Sequence, residues 1–521
     1  MPTTPSREMG RGPREIPLNR VRMTDAFWTP RQRLMTDVTI PYMEKNLRDE
    51  VAGAEKSHAI SNFRMAAGEA SGEFYGMVFQ DSDVAKWLEA AAYSLALKPD
   101  ASLEARVDEV VALIGRCQQP DGYLNTYFTV REPENRWANL LECHELYCAA
   151  HLIEAGVALH GALGKEELLH TCLRLADHIC DRFLQAEGIP GHQEIELAQM
   201  RLYHATGTTR YRDMALRFLD RRGQDPGWFA KHTAKHPGAH YGGDDILAED
   251  TAYNQSDVPV REQTVARGHA VRQMYMLTAM ADAAAETGDA RMQAACERLF
   301  DNITQRQMYV TGAVGATPHH ESFTVDYDLP SDRCYGETCA SVAMAFFAHA
   351  MLGLGARGCY ADLLELEVYN AALAGMQMDG KRFFYVNPLT VDRSVSGAVP
   401  GYEHVLAQRP AWHACACCPP NLARGPLIYC IEDADHPAGV SSLVLPEDAI
   451  LRADMCPTGP LRGMMLLHAE AKAQIPPETL YTAETPRYQP CALTAIPSFA
   501  WGNRAGGDMR VWIRSQSARN A

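Results

Sequence analysis

Basic runs are missing from this sequence. Its formal net charge is −16, with 49 Lys and Arg against 65 Asp and Glu. A phosphate backbone or an anionic membrane surface rewards positive charge, so neither a nucleic acid nor a membrane is expected as a partner. No phosphate loop ending in Gly-Lys-Ser/Thr occurs, and the Gly312-Ala-Val-Gly315 stretch reads only as a turn. Zinc-finger spacing is absent as well. No uninterrupted apolar run reaches the ~18 residues a membrane helix needs. The opening Met1-Pro-Thr-Thr-Pro-Ser-Arg-Glu has no apolar segment of the secretory kind. Cysteine is plentiful but not arranged for disulfides. Fifteen is an odd number, and Cys172, Cys296 and Cys359 stand singly in helical patterns. A reducing, cytoplasmic setting is therefore expected.

What the chain does have is length and regular helical patterning. With 521 residues, 46% hydrophobic and 22% charged, it should form two or three ordinary soluble domains. Residues 14–24 alternate in part and read as a strand. They belong to an extended N-terminal segment, 1–26, expected to pack on a C-terminal β region. From Phe27-Trp28 the period becomes helical for about four hundred residues. Asp83 to Leu97 reads as a helix with an Asp N-cap and with Val84, Trp87, Leu88 and Ala91 on one face. Others are expected near 103–118, 139–161, 265–287 and 338–354. Three segments resemble one another: Gly164 to Asp177, Gly207 to Asp220 and Gly288 to Asp301. Each carries Gly, a small residue eight places on, Arg at ten, Leu or Phe at eleven and Asp at thirteen. The starts lie 43 and then 81 residues apart, near one period and two. A helical period of ~40 residues means stacked helix pairs. Six pairs would close an (α/α)6 toroid, mainly α, over residues 27–424, with an axial pit lined by loops and helix ends. After Pro419-Pro420 come short apolar runs at Leu427–Ile431, Ser442–Leu445, Met464–Leu467 and Met509–Ile513. These read as strands of a shortened β-sandwich-like region, 425–521.

Three cysteines crowd into four positions in His413-Ala-Cys415-Ala-Cys417-Cys418-Pro419-Pro420-Asn421. The proline pair predicts that no helix starts there and that the backbone stays extended. Adjacent side chains on an extended chain point to opposite sides. Cys417 and Cys418 then converge on one atom only at a kink, and a bound metal is a common cause of one. A buried loop using cysteine as a small apolar residue is the competing reading. Upstream, Cys334-Tyr-Gly-Glu337-Thr-Cys339 enters a helix at about Thr338, where the positive helix mouth favours carboxylates and thiolates. Glu337, Cys339, Cys417 and Cys418 together offer one oxygen and three sulfurs, a set suited to tetrahedral Zn2+. Zinc would hold a thiolate deprotonated at neutral pH, ready to attack carbon. Retaining glycoside cleavage sets a nucleophile against an acid/base across the scissile bond. Glu321 is the natural acid, in a pocket expected to raise its pKa, unless it is simply an exposed loop carboxylate. His144, His192 and His269 each stand near the start of a helical run, at loop ends around the pit, or else as core histidines bonded to carbonyls. Tyr385 is placed to stack on a sugar or to lie in a buried strand.

Four motifs carry a family likeness: Gly336-Glu337-Thr338-Cys339-Ala340, Cys417-Cys418-Pro419-Pro420-Asn421, Gly268-His269-Ala270-Val271-Arg272 and His144-Glu145-Leu146-Tyr147. From Phe27-Trp28 to Trp512 the chain resembles glycoside hydrolase family 127, the bacterial β-L-arabinofuranosidases. The resemblance implies an (α/α)6 barrel followed by β-sandwich modules, and a zinc-dependent retaining exo-hydrolase acting on a small carbohydrate. It implies Cys417 as nucleophile and Glu321 as acid/base. It makes Glu337, Cys339, Cys417 and Cys418 the zinc ligands, and His144, His192, His269 and Tyr385 the sugar contacts. One departure stands out. In the family, a β-sandwich of more than about a hundred residues separates the Pro-Pro-Asn-Leu-Ala-Arg segment from a Gly-Pro-Leu-Val-Tyr-Cys-like strand. Here Asn421-Leu-Ala-Arg424 runs straight into Gly425-Pro-Leu-Ile-Tyr-Cys430. Strands left without partners expose edges, which leaves pairing with a second subunit open. Two rival functions follow: a catalytically defective relative that binds carbohydrate or folds around zinc, and an α/α-toroid epimerase or uronyl hydrolase.

Overall fold

A computed structural model describes residues 27–236, 246–355 and 357–425, with seven short strands outside those ranges. Six helices stand around one axis: Asp81–Leu97, Glu145–Leu163, Ile195–Thr206, Ala270–Thr287, Thr338–Leu354 and Cys418–Arg424. Each packs on the next, and the sixth packs back on the first, so the ring is closed. Outside the first five lie Ala101–Cys117, Glu167–Phe183, Thr209–Arg221, Ala290–Asn302 and Gly358–Leu366, each against its own inner helix. The sixth outer partner comes from the other end of the chain. Ile40–Leu47 packs on both Asp81–Leu97 and Cys418–Arg424. The architecture is the expected (α/α)6 toroid.

Patterning decides which helices go inside. Glu167–Phe183 buries only Leu168, Leu169, Cys172, Leu175, Ala176, Ile179, Cys180 and Phe183, a single stripe with the rest facing water. Glu145–Leu163 is buried over most of its circumference. By length and composition it could cross a membrane, yet it lies inside the ring, between Asp81–Leu97 and Ile195–Thr206. The repeated glycines are the turns between inner and outer layers. Gly164, Gly207 and Gly288 follow inner helices with φ of 70°, 72° and 70°, the left-handed cap that Gly adopts without steric cost. The small residue eight places on faces the inner helix: a Cβ on Gly156 would sit 2.9 Å from Cys172 Sγ. The repeated arginines reach back to the preceding turn. Arg174 donates to the Gln119 carbonyl at 3.4 Å, Arg217 to Phe183 at 3.0 Å and Arg298 to Arg261 at 3.0 Å.

Four expectations need correcting. The 81-residue interval holds one helix pair, not two, because an insertion between Arg221 and Ala270 carries the Trp228–Lys235 helix and a loop that delivers Tyr253 and His269 to the pit. The helix expected from Asp83 starts at Asp81 without a side-chain cap, since Asp81 turns to accept the Thr126 N–H at 2.8 Å. The helix expected over 139–161 begins only at Glu145, because Trp137 and His144 adopt left-handed backbone (φ 62° and 53°) and shape a pit-edge loop. The prolines open a helix rather than forbid one. Cys418–Arg424 is helical with both prolines in its first turn, where no N–H is required.

Beyond the ring, Arg14–Glu15 pairs antiparallel with Ile431–Glu432. Val21–Met23 lies parallel to Ile450–Met455, which continues antiparallel through Met465–Glu470, Leu493–Pro497 and Val511–Ser515 in one five-stranded sheet. Of the expected strands, 464–467 and 509–513 overlap two of these. Residues 427–430 and 442–445 lie outside the described residues.

Candidate active site

Two inner-helix N-termini meet at the pit floor. Glu337 is the extended N-cap of Thr338–Leu354 and Cys339 lies in its first turn; the Thr338 N–H donates to the Tyr385 carbonyl at 2.9 Å. Facing them, Cys417 already has helical backbone (φ −62°, ψ −38°) at the head of Cys418–Arg424. This turn supplies the bend that an extended chain lacks, and the adjacent thiols converge. Cys417 Sγ lies 3.8 Å from Cys418 Sγ and 3.6 Å from Glu337 Oε1. Cys418 Sγ lies 3.8 Å from that oxygen and 3.3 Å from Cys339 Sγ. All four side chains are buried. One donor atom from each falls within 4.8 Å of the others, and Glu337 Oε2 has no hydrogen-bond partner among the described residues. Burial, with the Glu321 carboxylate and the Cys417 thiol close by, pushes the Glu337 carboxyl well above its ordinary range. A metal ion bound beside Glu337 would reverse that preference. The donor set therefore fits one metal ion. The third cysteine of the motif stands apart, Cys415 Sγ being 4.0 Å from Cys417 Sγ, and His413 meets the Phe383 carbonyl at 3.1 Å.

Glu321 occupies the pit wall on a tight turn, with His320 and Glu321 both left-handed (φ 55° and 56°). Its side chain is 31% exposed, so the plain reading of a loop carboxylate in free solvent does not apply. His269 Nε2 lies 2.8 Å from Oε2, and the Tyr335 hydroxyl donates to Oε1 at 2.7 Å. Glu321, His269 and Glu337 also bring donor atoms within 4.8 Å of one another. The pocket was expected to raise this pKa. Burial does push it up, but His269, Tyr335 and Arg272 outweigh burial and hold the carboxyl below its usual range.

The three histidines form a row. Ring centroids are 5.7 Å apart from His144 to His192 and again from His192 to His269. Burial and the Arg272 cation lower His144 to about 3 and His192 well below its ordinary value, and burial lowers His269. The row is neutral at pH 7 and presents imidazole nitrogens that can donate to or accept from hydroxyl groups. Tyr385 is half-buried, and its neighbours form only isolated bridges, such as Val386 with Glu337. Its hydroxyl is aimed at sulfur, 3.2 Å from Cys417 Sγ.

Two further residues belong here that had no assigned role. Tyr335 holds Glu321, and the only sequence signal was its place two residues before Glu337. Arg272 donates to the Gly191 carbonyl at 2.9 Å and lies over the Tyr253 ring at 4.8 Å. Its spacing of three from His269 at a helix start puts both on one face.

The sequence profile of the β-L-arabinofuranosidase, GH127 catalytic domain, matches residues 20–429, and that of the glycoside hydrolase family 127 C-terminal domain matches 420–514. A non-reducing end β-L-arabinofuranosidase of Bifidobacterium longum subsp. longum is 44% identical over 425 residues, 78% of this chain and 64% of that protein. The chain thus spans less than two thirds of that relative's length. The crystal structure of a GH127 β-L-arabinofuranosidase from Geobacillus stearothermophilus T6 superimposes with a TM-score of 0.79 at 44% identity, covering 88% of this chain and 75% of that one. A second GH127 β-arabinofuranosidase structure gives 0.69 at 30% identity, covering 86% and 72%. With a family profile spanning most of its length and the thiol–carboxylate cluster in place, the chain belongs to glycoside hydrolase family 127.

Proposed function

We propose that this chain is a zinc-dependent retaining glycoside hydrolase that releases terminal β-linked L-arabinofuranose. The observation that carries the reading is the meeting of Cys417 and Cys418 with Glu337 and Cys339 on the floor of a pit whose wall holds Glu321. The activity printed for the Bifidobacterium relative supplies the substrate class. Tetrahedral zinc, bonded at about 2.3 Å to sulfur and about 2.0 Å to oxygen, spaces sulfurs ~3.8 Å apart and sulfur from oxygen ~3.5 Å. The 3.8 Å sulfur pair and the 3.6 Å sulfur–oxygen separation match, while the 3.8 Å sulfur–oxygen separation is ~0.3 Å long and the 3.3 Å sulfur pair ~0.5 Å short. When bound, zinc would keep the Cys417 sulfur deprotonated at neutral pH.

Cys417 Sγ attacks the anomeric carbon, and the bond from that carbon to the leaving oxygen breaks. Glu321 gives the departing oxygen its proton. Sugar filling the pit displaces the water that reaches the exposed part of Glu321, and desolvation favours the protonated acid; the acid form is therefore the substrate-loaded form. In the second half, Glu321 takes a proton from a water that displaces the sulfur, and configuration is retained. His144, His192 and His269 hold the sugar hydroxyls. Tyr385 steadies the sulfur through its hydroxyl. A thiol-based site also requires a reducing compartment, so the proposal places the protein in the cytoplasm.

The test is hydrolysis of an aryl β-L-arabinofuranoside by protein of known metal content. Glu321→Gln should lower turnover by roughly 10²–10⁴-fold, with the smallest loss on the best leaving group. Stoichiometric zinc should disappear in Cys418→Ala. A zinc-loaded Cys417→Ser variant with full activity would end the nucleophile assignment. The direct run of Arg424 into Gly425, where the family resemblance implies an intervening β block, favours one second reading, a carbohydrate-binding relative that folds around its metal. Bound zinc without any aryl-glycoside turnover would select it.

A further inference from the structure

A group of fully enclosed charges lies outside the site just described and takes no part in its chemistry. Arg424, fully buried, ends the Cys418–Arg424 helix. Its Nη1 donates to Glu89 at 2.8 Å and Glu154 at 2.6 Å, its Nη2 to the Tyr275 hydroxyl at 3.1 Å, and its Nε to Asn421 Oδ1 at 2.6 Å. Glu194 Oε1 lies 3.5 Å from Nη2. Glu89 belongs to Asp81–Leu97, Glu154 to Glu145–Leu163 and Tyr275 to Ala270–Thr287, and Glu194 is the N-cap of Ile195–Thr206. One guanidinium thus ties the sixth inner helix to four of the other five.

His151, Glu154 and Glu194 also bring three donors together. Arg201 pairs with Glu154 and Arg424 with both carboxylates, so this cluster already contains its counter-charge and does not call for a second metal ion.

The helix that Arg424 ends needs outside support. It has seven residues, two of them proline, and a helix this short does not hold its shape alone. Cys418, Asn421 and Arg424 recur at every third position and share one face. A slip of one residue along such a helix moves its side chains by about 1.5 Å, more than the mismatch any metal ligand tolerates. We infer that Arg424 is a positioning residue for the paired thiols. It sets the height and rotation of the helix so that Cys417 and Cys418 meet Glu337 and Cys339 on the neighbouring one. Asn421, bonded to both Arg424 and Tyr275, carries the constraint toward the thiol end.

This inference rests on the metal-site reading, and cobalt(II) separates the two. The full chain should take up one cobalt, read by its thiolate-to-cobalt absorption, with affinity measured by chelator competition. Arg424→Lys keeps the charge but loses the fork, and should bind cobalt 10–100-fold more weakly with an altered band. Leu103→Ala, in the remote outer-helix core, should lower the unfolding temperature and leave the cobalt spectrum unchanged. An Arg424→Lys chain that binds cobalt as the parent does overturns the inference alone. A parent chain that takes up no cobalt overturns the metal reading and the inference with it. Should Arg424→Lys fail to fold, Glu89→Gln, which weakens the same clamp from the opposing helix, must show the same loss, and an unchanged spectrum there is equally decisive.

Discussion

Glu321 and Glu145 answer burial in opposite ways. His269, Tyr335 and Arg272 together hold Glu321 low. Glu145 accepts from the Tyr123 hydroxyl at 2.5 Å and the Trp137 N–H at 2.8 Å, yet burial still dominates and raises it from 4.5 to about 8. A raised carboxyl favours the fold only while protonated. Below the unfolded value its contribution is fully present; between the two values the unfolded chain releases the proton first, so stability falls as pH rises through the folded pKa. Glu145→Gln mimics the protonated acid, with an amide that donates to Tyr123 and a carbonyl that accepts from Trp137. Denaturant unfolding should show the parent losing stability relative to this variant from about pH 5 to about pH 8, at up to ~1.4 kcal/mol per pH unit. No change in the difference over that range would mean that the two donors keep Glu145 ionised. Burial of this residue was not legible in the sequence, where His144-Glu145 looked like one polar patch and only the histidine was considered for the pit.

Among the helices, legibility followed burial. Thr338–Leu354 was expected with the bounds it has, because a mainly apolar segment followed by Gly355 admits few other readings. The boundaries that moved were those set by tertiary contacts: Asp81 turned toward Thr126, and the pit-edge loop withheld residues 139–144 from their helix. Repetition was the more reliable guide, since the Gly caps and the small residues beneath them are required wherever an inner helix turns outward. At Gly164 a Cβ would meet nothing within 4 Å among the described residues, so the cost of a side chain there is conformational. Gly164→Ala should destabilise by about 1 kcal/mol, measured as a lower denaturant midpoint with an unchanged slope. No measurable effect would show that the turn relaxes out of the left-handed region.

For the whole molecule, the decisive event is closure of the ring. Its sixth inner helix is held by Ile40–Leu47 from the opposite end of the chain, by Arg424 from below and by the thiol cluster from above. A metal ion there would join residues 337–339 to 417–418, about eighty positions apart. It would bind the folded ring and not the separated segments. Chelation should therefore lower the thermal midpoint and added zinc restore it; a thousandfold excess over the dissociation constant corresponds to about 4 kcal/mol. Cys418→Ala should show the lower midpoint with or without zinc. A parent chain whose midpoint ignores the chelator would argue that the ring closes without metal.

By itself the sequence determined the helical period, the paired-helix repeat and the residue types of the cluster, because periodicity and composition report on neighbours within one element. Tertiary structure alone decided that Cys418–Arg424 is a helix, that Tyr335 and His269 hold Glu321 low, and that Arg424 clamps four other inner helices. Those outcomes depend on which side chains meet across the axis once the ring is closed. Such meetings join positions tens to hundreds of residues apart, and no local pattern records them.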